Sequence, residues 1–158
     1  KIFEKINSEI SSKLIMVGDG PDKKNAKDYL RNNHLKNRVI FLGKTNEFDE
    51  ILCSSDLFLL PSEKESFGLA ALEAMALKVP VISTNTGGLK ELNINGNSGY
   101  TSDIGDIDSM SSNAIKILSD KSLKKKYRSQ AFENAKKYDI KKIIPLYENI
   151  YNEAIKIY

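Results

Sequence analysis

Apolar residues arrive along this chain in two rhythms. In the first they are contiguous, as in Lys13-Leu14-Ile15-Met16-Val17, Arg38-Val39-Ile40-Phe41-Leu42, Asp56-Leu57-Phe58-Leu59-Leu60 and Val79-Pro80-Val81-Ile82-Ser83. Short runs of this kind, closed by turn residues such as Gly18-Asp19-Gly20-Pro21 and Gly43, read as buried strands. A further strand is expected at Gly99-Tyr100-Thr101. In the second rhythm apolar residues recur three or four apart. Ile2, Phe3, Ile6 and Ile10 do so, predicting an amphipathic helix over 1–12. Helices are likewise expected over 22–33, 46–54, 67–77, 106–119, 121–137 and 139–157, with a short element near 88–92. Strands alternating with helices of this length indicate a parallel sheet with helical crossovers. Such strands are buried on both faces, which accounts for their unbroken hydrophobicity. The predicted fold class is α/β, a doubly wound, Rossmann-like parallel sheet flanked by helices, in one domain over 1–158. Ile143, Ile144, Leu146, Tyr147, Ile150, Ala154 and Ile157 of the last helix are expected to pack back on it.

Composition narrows the function classes. The 158 residues are 41% hydrophobic and 28% charged, which excludes disordered, collagenous and rod-like chains. No apolar run approaches the ~20 residues that span a bilayer. The one cysteine, Cys53, excludes an internal disulfide, fits a reducing compartment and reads as a small buried hydrophobe. His34 alone leaves too few soft ligands for a structural zinc site, and its place at a predicted helix end suits the dipole or solvent. No basic-then-apolar leader is seen, so the expected setting is cytoplasmic.

The net charge of +3 hides an asymmetry, because residues 116–142 hold ten Lys or Arg against three acids. A basic helical stretch can meet lipid headgroups or nucleic acid, but is more often a solvated face. Here the solvated face is the reading taken, with no nucleic-acid partner and membrane-surface contact as the disfavoured alternative. Tyr127, Phe132, Tyr138, Tyr147 and Tyr151 are read as helix-packing residues.

In doubly wound folds ligands sit outside the carboxyl ends of the strands. The turns after Val17, Leu42, Leu60 and Ser83 are therefore the places to search, and the richest is Pro61-Ser62-Glu63-Lys64-Glu65-Ser66-Phe67-Gly68-Leu69-Ala70-Ala71-Leu72-Glu73-Ala74-Met75-Ala76. Ser66 is a good N-cap, which would leave the N–H groups of Phe67, Gly68 and Leu69 free to meet an anion. Gly68, without a Cβ, lets a ligand approach the backbone. Glu65 and Glu73 start ~10 Å apart along the helix axis and bracket that anion site. A ligand with hydroxyls at both ends and phosphate between, as in a nucleotide sugar, has this layout. Taken alone, Glu65 and Glu73 are also ordinary surface acids. The apolar company of Glu73 instead suggests a buried helix, in which a lone carboxylate needs a partner.

The Glu65 to Glu73 segment resembles the signature of the family 4 (group 1) retaining glycosyltransferases. Supporting blocks follow in the same order: Val17-Gly18-Asp19-Gly20-Pro21, Val39-Ile40-Phe41-Leu42-Gly43, Ser55-Asp56-Leu57, Pro80-Val81-Ile82, Gly87-Gly88-Leu89-Lys90-Glu91 and Gly96-Asn97-Ser98-Gly99-Tyr100. Within the family, Phe41-Leu42-Gly43-Lys44 and Ser62-Glu63-Lys64-Glu65-Ser66-Phe67-Gly68-Leu69 look most like transferases that join GlcNAc from UDP-GlcNAc to L-malate.

The resemblance implies a role for each position. Glu65 is the catalytic position, contacting hydroxyls of the donor sugar, and Glu73 holds the ribose. Ser66, Phe67, Gly68 and Leu69 meet the hexose and diphosphate, Gly18 allows close approach of the nucleotide, and Gly43, Lys44 and Thr45 grip the uracil. Gly87-Gly88 reads as a structural turn beside the site. Transfer would retain the anomeric configuration and need no cofactor and no metal beyond the nucleotide-sugar donor. Asp106-Ile107-Asp108 matches a metal motif by letter, yet at a helix start it is expected to cap.

The resemblance further implies that this is the C-terminal, donor-binding half of a two-domain GT-B enzyme. The first strand of this domain, an Arg and a Lys that neutralise the diphosphate, and the acceptor-binding N-terminal domain would then lie upstream of Lys1. Alone, the chain is expected to bind donor weakly and transfer nothing. Alternatives are another family 4 transferase building capsule, lipopolysaccharide or glycolipid, a GT-B sugar-nucleotide epimerase, and a non-catalytic binding module.

Overall fold

The contiguous apolar runs are extended, and the periodic ones helical, in the computed structural model, which describes residues 1–156. The order is α1 (Ile2–Glu9), β1 (Leu14–Val17), α2 (Lys23–Asn32), β2 (Val39–Gly43), α3 (Phe48–Cys53), β3 (Phe58–Leu60), α4 (Leu69–Ala76), β4 (Val81–Thr84), α5 (Leu89–Leu92), β5 (Gly99–Ser102), α6 (Ile107–Ser119), α7 (Lys121–Ala135) and α8 (Ile140–Lys156). Each expected element is present, with ends shifted by a few residues. Every strand pairing is parallel, in two pieces: β1 with β2, and β3–β4–β5. Leu14 stands opposite Val39, and Val81 lies between Phe58 and Gly99.

Side chains alternate across β4, and so does the core. Val81 faces Met75, Ala74, Leu89 and Leu92, whereas Ile82 joins Ile6, Met110, Ile117 and Tyr127 on the opposite side. The loop between α5 and β5 is tied into this core by Asn93, which is fully buried. Its amide Nδ2 donates to the carbonyls of Val81 (3.2 Å) and Tyr100 (3.1 Å) and to Ser83 Oγ (2.9 Å). Two carboxylates start the long helices. Asp106 Oδ1 accepts from the N–H of Ser109 at 2.9 Å, the cap expected of it, and Asp120 Oδ1 accepts from Ser122 and Leu123.

Burial of the strands on both faces holds for β4 but not for the first sheet. Ile15, Met16 and Val17 are 40–46% exposed, and Ile40 and Leu42 stay similarly open. β1 and β2 each have a single strand neighbour, and their covering cluster is small, built on Phe3, Leu35 and Val39. Two further expectations need correction. Cys53 is exposed rather than buried, because α3 turns Leu52 inward at the preceding position. No residue of α8 is buried. Ile144, Leu146, Tyr147, Ile150 and Tyr151 face outward, because no other element of the described residues lies over that apolar stripe. The expectation for Ile157 lies outside the described residues. Tyr127, by contrast, is buried as expected. The basic segment is solvated, with Lys124 bound to Asp56 and Lys136 to Glu133, each at 2.7 Å. No described helix is long and apolar enough to cross a membrane.

Candidate functional site

The loop leaving β3 is held down by its own carbonyls. Thr84 Oγ1, at the end of β4, donates to Ser62 O at 2.6 Å, Thr86 Oγ1 donates to Glu63 O, and the N–H of Gly88 donates to Ser66 O at 3.3 Å. Three glycines permit this closeness. A Cβ at Gly87 would overlap the Glu65 carbonyl, one at Gly88 would lie 2.7 Å from Ser66 O, and one at Gly68 would lie 2.5 Å from Leu89 Cδ2. The Gly87-Gly88 pair is therefore the structural turn that seats the Glu65 loop.

The helix α4 starts differently from the sequence expectation. Gly68, in the left-handed conformation at φ +96°, is the N-cap, and the exposed Ser66 makes no capping bond. That conformation points Gly68 O at the N–H groups of Ala71 and Leu72, at 2.9 and 3.0 Å. The N–H groups of Phe67, Gly68, Leu69 and Ala70 then have no acceptor among the described residues. So the free donors are present, shifted one residue onward to include Ala70. They sit at the positive end of the helix dipole and suit an anion. The Phe67 ring packs edge-on against Tyr138 at 5.6 Å and 71°. Tyr138 in turn donates to Glu91 O at 3.3 Å.

The burial expected of α4 is wrong. Only Ala71, Ala74 and Met75 are buried, while Leu69 is 65% exposed and Ala70, Glu73 and Ala76 are open. The helix packs one narrow face on the core, and its other side borders a hollow. Glu73 thus needs no buried partner, and it has no hydrogen-bond or ion-pair partner among the described residues. Together with Ala70 it lines a cavity of about 490 Å³, whose opposite wall includes Leu14, Ile15 and Val17 of β1. Glu65 is half-buried at the loop and does not line that cavity.

The first two turns are tied to each other. The N–H of Gly18 donates to Gly43 O at 2.8 Å, and both glycines have positive φ, at +112° and +75°. Open space surrounds the position of a Gly18 Cβ. Gly18, Asp19, Gly20 and Pro21 line a second hollow of about 280 Å³, and Val17 lines both hollows. Asp19 accepts from the N–H of Gly20 at 3.0 Å and pairs with Lys23, contacts that hold its carboxyl below the usual range. Lys44 is exposed, and Thr45 Oγ1 accepts from the N–H of Glu47 at 3.1 Å. Neither lines either of these two hollows. The structure therefore puts Glu73 and the Gly18 turn on two separate hollows that share Val17, links Gly43 to the Gly18 turn through a hydrogen bond, and leaves Lys44 and Thr45 outside both. Among the described residues no group of three or more His, Cys, Asp or Glu is placed to hold a metal.

The sequence reading gave Thr84, Thr86, Ala70 and Tyr138 no role of their own at the site. The signal for the threonines was there in Thr84-Asn85-Thr86-Gly87-Gly88, where hydroxyls precede a glycine pair after a strand. Nothing local marked Tyr138, which lies 71 residues beyond Phe67.

Comparison with known proteins places this geometry. Residues 1–138 match the family model described as glycosyl transferases group 1. The chain is 41% identical, over 98% of its length, to N-acetyl-alpha-D-glucosaminyl L-malate synthase of Bacillus anthracis. It is 30% identical, over 95% of its length, to 2-deoxystreptamine N-acetyl-D-glucosaminyltransferase of Niallia circulans. It spans 41% of the length of each of these relatives. The crystal structure of the C-terminal domain of a group 1 glycosyl transferase from Francisella tularensis superposes with a TM-score of 0.78, at 25% identity, over 88% of this chain and 78% of that one.

Proposed function

The chain belongs to the group 1 glycosyltransferases, and we propose that it is the donor-binding half of a retaining transferase that moves GlcNAc from UDP-GlcNAc to L-malate. The observation that carries this reading is the 41% identity, sustained over 98% of the chain, with an enzyme named for that product. The second relative is also named for N-acetylglucosaminyl transfer, which supports the donor more than the acceptor.

In this reading the diphosphate docks on the free N–H groups of Phe67 to Ala70 at the start of α4. Donors fixed there before the reaction stabilise the charge that develops as the diphosphate departs, without reorganising at that moment. The Glu65 carboxylate holds sugar hydroxyls, Glu73 holds the ribose, Gly18 gives the nucleotide room, and Gly43, Lys44 and Thr45 take the uracil. No metal or cofactor is assigned a part. The acceptor binds to the remainder of the full-length protein, an N-terminal domain, and the whole enzyme works in the cytoplasm.

The test is an assay of the full-length protein with UDP-GlcNAc and L-malate. The expected product is a GlcNAc-malate glycoside whose anomeric proton reports the donor's configuration by NMR. Transfer only to a lipid-linked or polymeric acceptor would overturn the malate assignment, and an inverted anomer would overturn retention. The isolated 158-residue chain should give no product.

A further inference from the structure

With Glu65 as the group that holds the donor sugar, the reading on which this rests, we propose that Thr84 is a positioning residue whose hydroxyl fixes the loop carrying that carboxylate. The backbone ladder between β3 and β4 ends where Leu60 stands opposite Ser83. Beyond that pair the contacts pass to side chains. Thr84 Oγ1 donates to Ser62 O at 2.6 Å, and Thr86 Oγ1 donates to Glu63 O at 3.3 Å. Residues two apart share one side of an extended chain, so the two hydroxyls meet successive carbonyls of the same loop. Asn85, between them, binds the loop after β5 instead, its Nδ2 donating to Asp103 Oδ1 at 2.6 Å.

The two threonines are not equivalent. Thr84 is 1% exposed and makes the shorter bond. Its backbone belongs to β4, the middle strand of its sheet, where it stands opposite Ser102, and the next N–H, of Asn85, donates to Ser102 O at 2.9 Å. A β-branched side chain has few χ1 rotamers, so a fixed backbone also fixes the hydroxyl. Thr84 therefore ties the loop to the rigid part of the sheet, whereas the half-buried Thr86 lies in the turn beyond it. The N–H groups at the start of α4 are held from elsewhere: Gly88 N–H donates to Ser66 O, and Gly68 packs on Leu89. Removing the Thr84 hydroxyl should thus release Glu65, three residues beyond Ser62, and spare the donors that face the diphosphate. A reacting group misplaced by about 1 Å can cost about 100-fold in rate.

The test compares Thr84→Val, close in shape but without the donor, with Thr84→Ser, which keeps the donor, in the full-length protein. With UDP-GlcNAc and L-malate, Thr84→Val should lower kcat roughly 10- to 100-fold. The Kd for UDP, which has no sugar for Glu65 to hold, should change less than about threefold, and Thr84→Ser should restore kcat to a similar margin. Amides of Glu63 to Ser66 in the free protein should exchange faster in the Val variant and at the natural rate in the Ser variant. An unchanged kcat in Thr84→Val would overturn the proposal, as would a Ser variant as slow as the Val variant. Equal losses of kcat and UDP affinity would overturn it too, since the hydroxyl would then support the whole site. Should Thr84→Val not melt cooperatively, Thr84→Ala takes its place, and if that variant also fails to fold, the residue is structural and the proposal falls. Exchange is read without substrate and so separates two failures. Absent transfer by the natural protein overturns the functional reading, whereas unaltered loop exchange in Thr84→Val overturns the positioning role.

Discussion

The Cα of Gly87 lies so close to the backbone carbonyl of Glu65 that no side chain fits between them. The loop that presents Glu65 therefore rests on the turn after β4, and its position depends on a residue that carries no chemistry. Gly87→Ala should displace the Glu65 loop and force a side chain into φ +49°. The expected cost is at least about 1 kcal/mol in stability, because Ala at positive φ is strained. Donor affinity should fall as well. Thermal melting and calorimetric titration of the full-length protein with UDP-GlcNAc check this, and unchanged affinity would show that the seat is not needed.

Glu73 should behave in the opposite way. It is exposed and has no partner among the described residues, so Glu73→Gln should change stability by less than about 0.5 kcal/mol. If its carboxylate receives ribose hydroxyls, the loss of a charged acceptor costs about 1.5–3 kcal/mol of binding. The Kd for UDP should then rise roughly 10- to 100-fold with an unchanged melting temperature. A Kd that stays put would remove Glu73 from the site.

These two residues also show what could be read from the sequence. The strands, the crossovers and the parallel class followed from runs such as Val39-Ile40-Phe41-Leu42, since contiguous apolar residues bounded by turns leave few alternatives. The loop was found because ligands gather at the carboxyl ends of parallel strands. Glu73 was misjudged because its neighbours Leu69, Ala70 and Ala76 are apolar yet open, and apolar composition was equated with burial. In isolation the pattern of α4 describes a helix lying over a full sheet, whereas here the sheet is interrupted beside it. The N-cap was misplaced for a related reason. Ser66 has the better capping side chain, but the left-handed turn at Gly68, packed on Leu89, decides where the helix begins.

Tyr138 should act as a positioning residue for the donor loop, through its edge-on contact with Phe67. Such aromatic pairs are worth about 0.5–1.5 kcal/mol beyond the area they bury. Tyr138→Ala should therefore raise the KM for UDP-GlcNAc several-fold in the full-length enzyme while leaving kcat nearly intact. Tyr138→Phe keeps the ring and gives up only the 3.3 Å bond to Glu91 O, so it should restore the KM. If the Phe variant is as impaired as the Ala variant, the hydroxyl matters and the stacking argument fails.

The buried phenol of Tyr127 makes stability fall at alkaline pH. Burial pushes its pKa well above the ordinary value of 10, and its neighbour Tyr100, with ring centroids 5.2 Å apart, pushes in the same direction. Below pH 10 the group is protonated in both folded and unfolded chains, and its contribution is intact. As the pH rises past 10 the unfolded phenol ionises while the folded one keeps its proton. The unfolded state then binds fewer protons, so unfolding becomes easier with every further increase in pH. Urea midpoints measured from pH 8 to 11 should decline more steeply for the natural sequence than for Tyr127→Phe, which has no proton to lose. Lysine deprotonation affects both proteins alike and drops out of the comparison. Parallel declines would mean that the phenol reaches solvent before the chain unfolds, contrary to its place beside Ile82 in the core.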